Sequence, residues 1–548
     1  MTNQETSFDD NAKELNAKEK MVRGSLWMTI GNVLSRLLGA VYIIPWYAMM
    51  GENGKIANSL FNKGYNVYAL FLMIATAGIP GAIAKQVSYY NSQNEYGISQ
   101  KLFKKTLTIM AGFGVLCAGV MYLISPILAA GDPNLVPVMR ALSVSVLIFP
   151  SMSVIRGYFQ GNQDMMPSAV SQIVEQIARV FYMLLMTFII IKMRDGNYVD
   201  AVIQSTFAAF IGMLGAYAAL IYFYKKQKPQ MDKLVAGSNN ELSISENSLV
   251  KEMLIEAVPF IIVGSAITFF KLIDQFTFEP IMASFTNFSD DQLSALFSIF
   301  SANPDKLVMI TISLAAGMAM TSLPLITEAF TKQDEVGLSK LVSENIQLLF
   351  FIMMPATFGM ITLAEPMYVL FYEPDVLGIS VLVQASYIGL IMGYFILIST
   401  TLQGLYKNSD AIFNLAVGLI IKLVLQYPMI KAFEVYGPLL ASGIGFAVSA
   451  YLMTKKVHEI TKFNYSLTIR RTILIFIFSL MMSLGTMLTK SFLYLFLNPE
   501  RKFQALIIVM ISVAAGIAIY GWLVLKTRLA DKLMGDKVDK VRTKLKIK

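Results

Sequence analysis

Ionisable side chains inside long apolar segments are the residues of this sequence best placed to do chemistry. In the first apolar segment, Asn32 and Arg36 are four residues apart and therefore share one face of a helix. A charged group at membrane depth is costly, so it is expected to face a cavity or a partner. Arg36 has no acid within reach in its own segment, and its guanidinium fork matches the oxygens of a diphosphate. We therefore predict that Arg36, helped by Asn32, binds an anion.

A second group of charges lies near the middle of the chain. Lys271 and Asp274 share a helical face, and they could neutralise each other or act as an ion or proton relay. Lys306 follows Asp305 at the start of the next apolar segment, where its ammonium group would lie at the outer mouth. Lys271 and Lys306 are therefore predicted to assist Arg36 in anion binding.

Two further apolar segments also carry charge. Glu175 and Arg179 are four residues apart and are predicted to form a structural ion pair. Lys422 has no acid one turn away in its own helix, so it needs a partner elsewhere or water. The candidates for ion coupling or for a relay are Asp274, Asn414 and Lys422.

The composition shows what kind of element must hold these residues. The chain has 548 residues, of which 55% are hydrophobic and only 15% charged, whereas about 25% of the residues of a soluble domain are charged. An ordinary soluble enzyme is therefore excluded. One cysteine excludes a disulfide within the chain, one histidine excludes a site with several histidine ligands, and no Walker-type phosphate loop is present. We predict no metal, no cofactor and no covalent chemistry.

The hydropathy profile predicts an all-α polytopic membrane protein with about fourteen transmembrane helices, because each crossing needs about 20 apolar residues. The predicted spans, numbered in order, are 25–50, 64–88, 104–128, 135–159, 168–191, 199–224, 254–283, 307–328, 344–364, 379–404, 411–433, 437–456, 471–490 and 503–525. Several contain Gly or Pro, and such breaks are tolerated in lipid where neighbouring helices or a wet cavity satisfy the freed backbone groups.

The basic residues indicate the orientation of these spans. Most of the 45 Lys and Arg residues fall in the two tails and the even-numbered connections. By the positive-inside rule, both termini are then cytoplasmic. The net charge of +9 therefore does not form one basic surface for nucleic acid. It lies in loops and tails that meet anionic membrane lipids.

The two halves of the chain repeat short motifs in the same order. Residues 78–80 (Gly-Ile-Pro) are echoed by residues 322–324 (Ser-Leu-Pro), and residues 160–161 (Gln-Gly) by residues 403–404 (Gln-Gly). These matches indicate a duplicated unit of six helices. Because six is even, both copies would share one orientation in the membrane.

The duplication divides the chain into six predicted parts. They are a cytoplasmic N-terminal tail at 1–24, an N-lobe of spans 1–6 at 25–224, a cytoplasmic linker at 225–253, a C-lobe of spans 7–12 at 254–457, spans 13 and 14 at 458–525 and a basic cytoplasmic tail at 526–548. Two similar lobes suit alternating access to a substrate site between them. Hinges are predicted at the breaks in spans 2 and 8, at Gly78, Pro80 and Pro324.

Motifs in these spans resemble the MurJ-type lipid II flippases of the multidrug/oligosaccharidyl-lipid/polysaccharide exporter superfamily. They are residues 35–39 (Ser-Arg-Leu-Leu-Gly), residues 78–80, and residues 305–306 (Asp-Lys) ahead of residues 323–324 (Leu-Pro). The plan of 6+6+2 spans resembles that family from end to end, and its Gram-positive branch, YtgP, looks most similar. The resemblance implies a V-shaped pair of lobes around a cationic cavity lined by spans 1, 2, 7 and 8. It also implies a groove for the polyprenyl tail beside spans 13 and 14.

The resemblance also assigns roles to residues. The cavity arginines of the family correspond to Arg36 and, with a change of residue, to Lys306. Residues 42–43 (Tyr-Ile) stand where the family has an Arg-Asp pair, and Lys63 is the basic residue nearest to the family's span-2 arginine. In span 11, Gly418 stands where the family's sodium site has an acid. Membrane potential and protons therefore remain as alternatives to Na+ coupling.

The residues and the resemblance together predict a flippase in the cytoplasmic membrane of a bacterium. Its substrate would be a polyprenyl-diphosphate-linked glycan, lipid II for peptidoglycan, with membrane lipids and enzymes of wall synthesis as partners. Three alternatives stay open: a flippase for capsule or teichoic-acid precursors, a cation-coupled multidrug exporter, and a non-transporting scaffold for wall synthesis. Spans 1 and 2 contain Arg36 and Lys85 but no Asp or Glu, which disfavours an exporter of organic cations.

Overall fold

The fold is made of α-helices joined by short turns. The computed structural model describes residues 27, 34–35, 38–39, 41–76, 78–238, 255, 257–534 and 542, and these residues contain no strand. The all-α prediction is confirmed. Lipid offers no partner to backbone N–H and C=O groups, so long apolar segments form helices, which satisfy those groups internally. The chain divides into two compact units, Met1–Thr268 and Phe269–Lys548.

The first unit is built around one central helix. Its helices are α1 (Ile43–Met50), α2 (Gly54–Thr76), α3 (Ile79–Ser92), α4 (Tyr96–Leu128), α5 (Leu135–Gly161), α6 (Met166–Phe188), α7 (Tyr198–Ala236) and α8 (Ala257–Gly264). A π turn at Ile189–Met193 continues α6. The α5 helix packs against α2, α3, α4 and α7, and it therefore forms the centre of this unit.

The second unit has the same kind of centre. Its helices are α9 (Ala266–Ala283), α10 (Asp290–Phe297), α11 (Asn303–Thr331), α12 (Glu335–Thr362), α13 (Ala364–Phe371), α14 (Val376–Gly404), α15 (Asn408–Phe433), α16 (Gly437–Thr461), α17 (Tyr465–Leu493), α18 (Lys502–Lys526) and α19 (Leu529–Met534). The α14 helix packs against α11, α12 and α16, while α17 packs against α12 and α18. The α17 helix is thus attached through α12, while α18 packs against both α17 and α13.

The chain is a multi-span membrane protein, although the count of fourteen spans is not confirmed. Among the described residues, eleven helical stretches are long and apolar enough to cross a membrane, or twelve if α8 and α9 form one bent span. Predicted span 1 lies partly outside the described residues, which in its second half include 41–50. Predicted spans 11 and 12 fall in one stretch, Asn408–Thr461, that counts once. That stretch nevertheless holds two helices of 26 and 25 residues that pack side by side.

The predicted break in span 2 is present in the structure. Gly78 separates α2 from α3 with a φ of 77°, a left-handed conformation that glycine adopts without steric cost. Pro80 follows in the first turn of α3, where its missing N–H costs no hydrogen bond. Pro324 differs, because α11 runs through it without interruption. The role of these three residues as hinges remains a prediction.

The polar connection predicted at 225–253 begins as helix. The α7 helix continues to Ala236, twelve residues beyond the predicted end of span 6 at residue 224. Lys and Gln are good helix formers, so the helix persists after the apolar residues end. Residues 239–254 lie outside the described part of the chain.

The glycine of the repeated Gln-Gly motif allows a close contact between two helices in both units. A Cβ on Gly161, at the end of α5, would lie 2.7 Å from Cβ of Val87 on α3. A Cβ on Gly404, at the end of α14, would lie 3.1 Å from Cγ2 of Ile326 on α11. In each unit the glycine lets the central helix approach the helix that carries the Pro of the other motif. Such close contacts through small residues are typical of membrane helices.

Candidate functional site

A buried polar network joins three helices of the second unit. Lys422 on α15 is 0% exposed, and its Nζ donates hydrogen bonds to Oδ1 of Asp274 on α9 and to two groups of α16. Those groups are the carbonyl oxygen of Pro438 and Oγ of Ser442, each 2.8 Å away. The three N–H donors of the ammonium group are therefore all used.

A second side chain of α15 reinforces the network. Nε2 of Gln426 donates to Oδ1 of Asp274 at 3.0 Å and lies 2.9 Å from Oγ1 of Thr277. Each helix contributes two residues spaced three or four apart, which places both on one face. The pairs are Asp274 and Thr277, Lys422 and Gln426, and Pro438 and Ser442. Of the two alternatives for Lys422, a partner elsewhere or water, the structure shows a partner on another helix, Asp274.

One turn from Asp274, a second ion pair is more accessible. Nζ of Lys271 lies 2.5 Å from Oδ1 of Asp305 on α11, and the two side chains are 23% and 21% exposed. Lys306 is the next residue, and it is partly buried. Lys271 therefore pairs with the residue that precedes Lys306 on α11, and both lysines are among the predicted anion-binding residues.

The predicted neutralisation of Lys271 by Asp274 is wrong. Lys271 pairs with Asp305 and Asp274 pairs with Lys422, so each side chain reaches a different neighbouring helix. Lys271 and Asp274 are three residues apart on α9, and both side chains project toward neighbouring helices. Those helices supply an opposite charge within hydrogen-bond distance of each side chain. A relay between Lys271 and Asp274 stays a prediction.

The predicted ion pair between Glu175 and Arg179 is also wrong. In the first unit, Arg156 on α5 donates from its terminal nitrogen to Glu175 at 2.7 Å and from Nε to Oγ of Ser171 at 2.9 Å. The guanidinium fork spans both acceptors because Ser171 and Glu175 are one turn apart on α6. Arg179 instead donates to the hydroxyl of Tyr65 and stacks over its ring.

Two sets of buried polar residues are not predicted from the sequence. Arg156 lies within predicted span 4, and its partners Ser171 and Glu175 are one turn apart in predicted span 5. A polar stripe on α2 was also missed. Its members are buried and spaced four apart: Asn58, Asn62 and Asn66. That period of four in a buried helix was visible in the sequence. Lys63, the nearest match to the family's span-2 arginine, is buried next to the stripe.

Two predicted substrate residues, Asn32 and Arg36, lie outside the described residues. Asn414 is described and buried, and its backbone oxygen accepts a hydrogen bond from Oγ of Ser449. Gly418, one turn beyond Asn414, leaves no room for a side chain. A Cβ there would lie 1.9 Å from Oγ of Ser449 and 2.6 Å from the carbonyl oxygen of Gly445. An acid therefore cannot occupy this position without displacing α16.

The chemistry available at these positions is charge neutralisation. The partly exposed ammonium group of Lys271 can bind an anion such as a diphosphate, and Lys306 supplies a second positive charge on the neighbouring helix α11. The buried network differs, because its ammonium group already has a full set of acceptors. The accessible cations and the buried network are therefore separate parts of the second unit.

Comparison with known sequences gives a consistent result. A family model described as "Polysaccharide biosynthesis protein" matches residues 21–330. A protein of Bacillus subtilis (strain 168) named lipid II flippase MurJ is 34% identical over 534 residues, which cover 94% of this chain and 97% of that protein. The membrane protein YabM of the same organism is 23% identical over 503 residues, 91% of each chain.

Solved structures share the fold. A structure of lipid II flippase MurJ in an inward closed conformation superposes with a TM-score of 0.62 at 13% identity, covering 93% of this chain and all of that one. An inward-facing multidrug resistance transporter of the MATE family, in the MOP superfamily, superposes with a TM-score of 0.61 at 14% identity. That match covers 78% of this chain and 96% of the transporter.

Proposed function

Since the chain belongs to the MurJ-type lipid II flippase family of the multidrug/oligosaccharidyl-lipid/polysaccharide exporter superfamily, we propose that it is a flippase for lipid II. In this proposal it moves the polyprenyl-diphosphate-linked precursor of peptidoglycan from the inner to the outer leaflet. The observation that carries the proposal is the 34% identity, over 94% of this chain, to the lipid II flippase of B. subtilis.

Membership of this family also sets the class of activity and the location. The relative MurJ of B. subtilis is a flippase, as is the MurJ of the solved structure, so the chain is a transporter and not an enzyme. It is a multi-pass protein of the bacterial cytoplasmic membrane. In our proposal both termini lie in the cytoplasm, which the distribution of Lys and Arg supports.

In the second unit, the accessible cations provide a place for the diphosphate. We assign Lys306 and Lys271 to neutralise its oxygens, while Asp305 holds the Lys271 ammonium group in position. A charge-assisted hydrogen bond is stronger than a neutral one, so an ammonium group near the surface of the unit suits this task. Arg36 retains its predicted role as an independent anion-binding residue.

The membrane potential is the proposed driving force. Moving one elementary charge across the membrane changes the free energy by about 2.3 kcal/mol per 100 mV. A diphosphate is anionic, and outward movement of an anion is favoured when the inside is negative. Tight packing at Gly418 excludes an acid at that position, which disfavours coupling to Na+ through it. Proton coupling remains the alternative.

A second candidate function has one observation in its favour. The matching family model carries the broader description of polysaccharide biosynthesis, which suits a flippase for capsule or teichoic-acid precursors. The same polyprenyl-diphosphate handle would serve both substrates. The inward-facing multidrug transporter supports a common fold only, since its identity to this chain is 14%.

Depletion of the protein in its own bacterium tests the proposal. We expect lipid II to accumulate in the inner leaflet soon after synthesis of the flippase stops, because its supply continues while its exit is blocked. Extraction and quantification of the lipid-linked intermediates provides the measurement. Accumulation of a capsule or teichoic-acid precursor, with lipid II unchanged, would establish the second candidate instead.

A further inference from the structure

A π turn lies inside the helical stretch that carries Asp305 and Lys306. Residues Ser298–Ala302 form this turn, and it joins α10 to α11 without a break. Turns of this kind are rare within helices and are frequently found at functional sites. A π turn contains one residue more than an α turn, so it rotates the residues that follow by about 100° relative to an uninterrupted α-helix. The turn therefore decides which face of α11 carries Asp305 and Lys306.

Pro304, which follows the turn closely, favours this geometry. In an α-helix its ring would clash with the carbonyl group of Phe300, and it has no N–H group to donate there. The wider turn instead lets the N–H group of Asn303 donate to the carbonyl oxygen of Ser298, five residues earlier. The turn also packs against α9, since the ring centroids of Phe300 and Phe278 are 4.5 Å apart. It is thus fixed against the helix that carries the lysine of the partly exposed ion pair.

Asn303 holds the turn through both its side chain and its backbone. Its Oδ1 accepts a hydrogen bond from Oγ of Ser298 at 3.1 Å, and its Nδ2 donates to the hydroxyl oxygen of Tyr368 on α13 at 2.7 Å. Its carbonyl oxygen accepts a hydrogen bond from the hydroxyl group of Tyr372 at 2.9 Å. All four residues are 0% exposed. Burying an amide is costly unless its groups are bonded, and here each bond fixes the π turn or the residue that follows it.

We propose that Asn303 is a positioning residue of the anion site. It holds the π turn, and the turn places Asp305 in contact with Lys271 and sets the face of α11 on which Lys306 lies. Relaxation to an α turn would rotate Asp305 by about 100°, away from Lys271. The inference rests on the proposed function for the nature of the ligand, but the contact between α9 and α11 can be tested without it.

Zero-length crosslinking of the full-length protein in detergent tests the positioning. A water-soluble carbodiimide joins an amine to a carboxylate that it contacts, and mass spectrometry measures the yield of each link. The unchanged protein should form a link between Lys271 and Asp305. The link between Glu328 and Lys332, at the other end of α11, is the internal reference. In Asn303→Ala, the yield of the first link relative to the reference should fall at least about threefold, because the turn loses two side-chain hydrogen bonds.

Milder variants keep the test valid if Asn303→Ala cannot be purified. Ser298→Ala and Tyr368→Phe each remove one hydrogen bond to Asn303, and each should lower the same ratio of yields. Ser322→Ala, which removes a buried hydroxyl bond elsewhere on α11, is the matched control and should leave the ratio unchanged. The proposal is overturned if none of the three variants near the turn lowers the ratio. It is equally overturned if the unchanged protein forms no link between Lys271 and Asp305.

Flipping of lipid II in proteoliposomes tests whether Asn303 acts through Lys306. Asn303→Ala should slow flipping at least about threefold, and the double variant with Lys306→Gln should be less than about twofold slower than Lys306→Gln alone, because both changes disturb one site. Effects that multiply in the double variant would overturn the proposal. If the unchanged protein does not flip lipid II, the proposed function fails, and the crosslinking ratio still decides the positioning role.

Discussion

At the scale of single residues, three ion pairs of the described spans each join charges on two different helices. Arg156 pairs with Glu175, Lys271 with Asp305, and Lys422 with Asp274. The sequence identified most of these residues as charges in need of a partner. It assigned partners by spacing within one helix, because that is the only proximity a sequence shows directly. Partners on other helices depend on packing, so they could not be predicted.

Lys306, a partly buried cation of the second unit, gives a first prediction. We expect Lys306→Gln to slow the flipping of labelled lipid II in proteoliposomes roughly tenfold or more, since a hydrogen bond to a charged group is worth about 1.5–3 kcal/mol. Lys332→Gln is the matched control. Its ammonium group pairs with Glu328 on an exposed surface, where an ion pair contributes little. Equal rates in both variants would remove Lys306 from the site.

The corrected ion pair of the first unit gives a second prediction. Double-mutant cycles of unfolding free energy should couple Glu175 to Arg156 by more than about 1 kcal/mol, because the pair is mostly buried. Glu175 and Arg179 should couple by less than about 0.5 kcal/mol, because they do not share a hydrogen bond. Alanine variants of the three residues, unfolded chemically in detergent, provide the measurement. The reverse order of the two coupling energies would restore the pair within α6.

At the scale of helices, glycine contacts determine how closely neighbours pack. The break at Gly78 could be predicted, because Gly and Pro together interrupt an apolar segment and mark it in the sequence. The contact between Gly418 and Gly445 could not, since nothing in a sequence shows which glycine faces another backbone. In the sequence, Gly418 is notable only because it stands where the family's sodium site has an acid. The structure gives its physical reason, a close approach of α15 to α16.

This contact gives a third prediction. Gly418→Ala should lower the stability by about 1–3 kcal/mol, the usual cost of overpacking. The added methyl group would also displace Ser449 from its hydrogen bond to Asn414. Gly317→Ala on α11 is the control, because a Cβ there meets no atom within 4 Å and alanine favours a helix. Thermal unfolding of both variants measures the difference, and a Gly418→Ala variant as stable as Gly317→Ala would contradict the packing account.

At the scale of the whole molecule, the membrane class and family could be predicted and the number of spans could not. Composition and apolar segment length indicate a polytopic helical protein because lipid imposes both. Span boundaries depend on where helices end, and polar residues do not end them. The α7 helix continues through Lys and Gln to Ala236, and α2 begins at Gly54, ten residues before its predicted span. The extension of α7 arises because Lys and Gln are good helix formers, whereas the early part of α2 contains polar residues that are buried, such as Asn58 and Asn62.

The orientation in the membrane gives a fourth prediction. In a Cys117→Ser background, an impermeant thiol reagent should label Arg194→Cys in intact cells without a wall, because residue 194 lies in an odd-numbered connection. Lys228→Cys, in the basic end of α7, should be labelled only after the membrane is permeabilised. Both residues are exposed on the protein surface. Labelling of residue 228 alone in intact cells would reverse the proposed orientation.

Reconstituted flipping tests the central claim most directly. The full-length protein in proteoliposomes should move fluorescent lipid II between leaflets faster than empty liposomes do, and an inside-negative potential should speed outward movement. A matched lipid carrying a teichoic-acid or capsule repeat on the same polyprenyl diphosphate should move more slowly. If lipid II moved no faster than in empty liposomes while the matched lipid did, lipid II would not be the substrate.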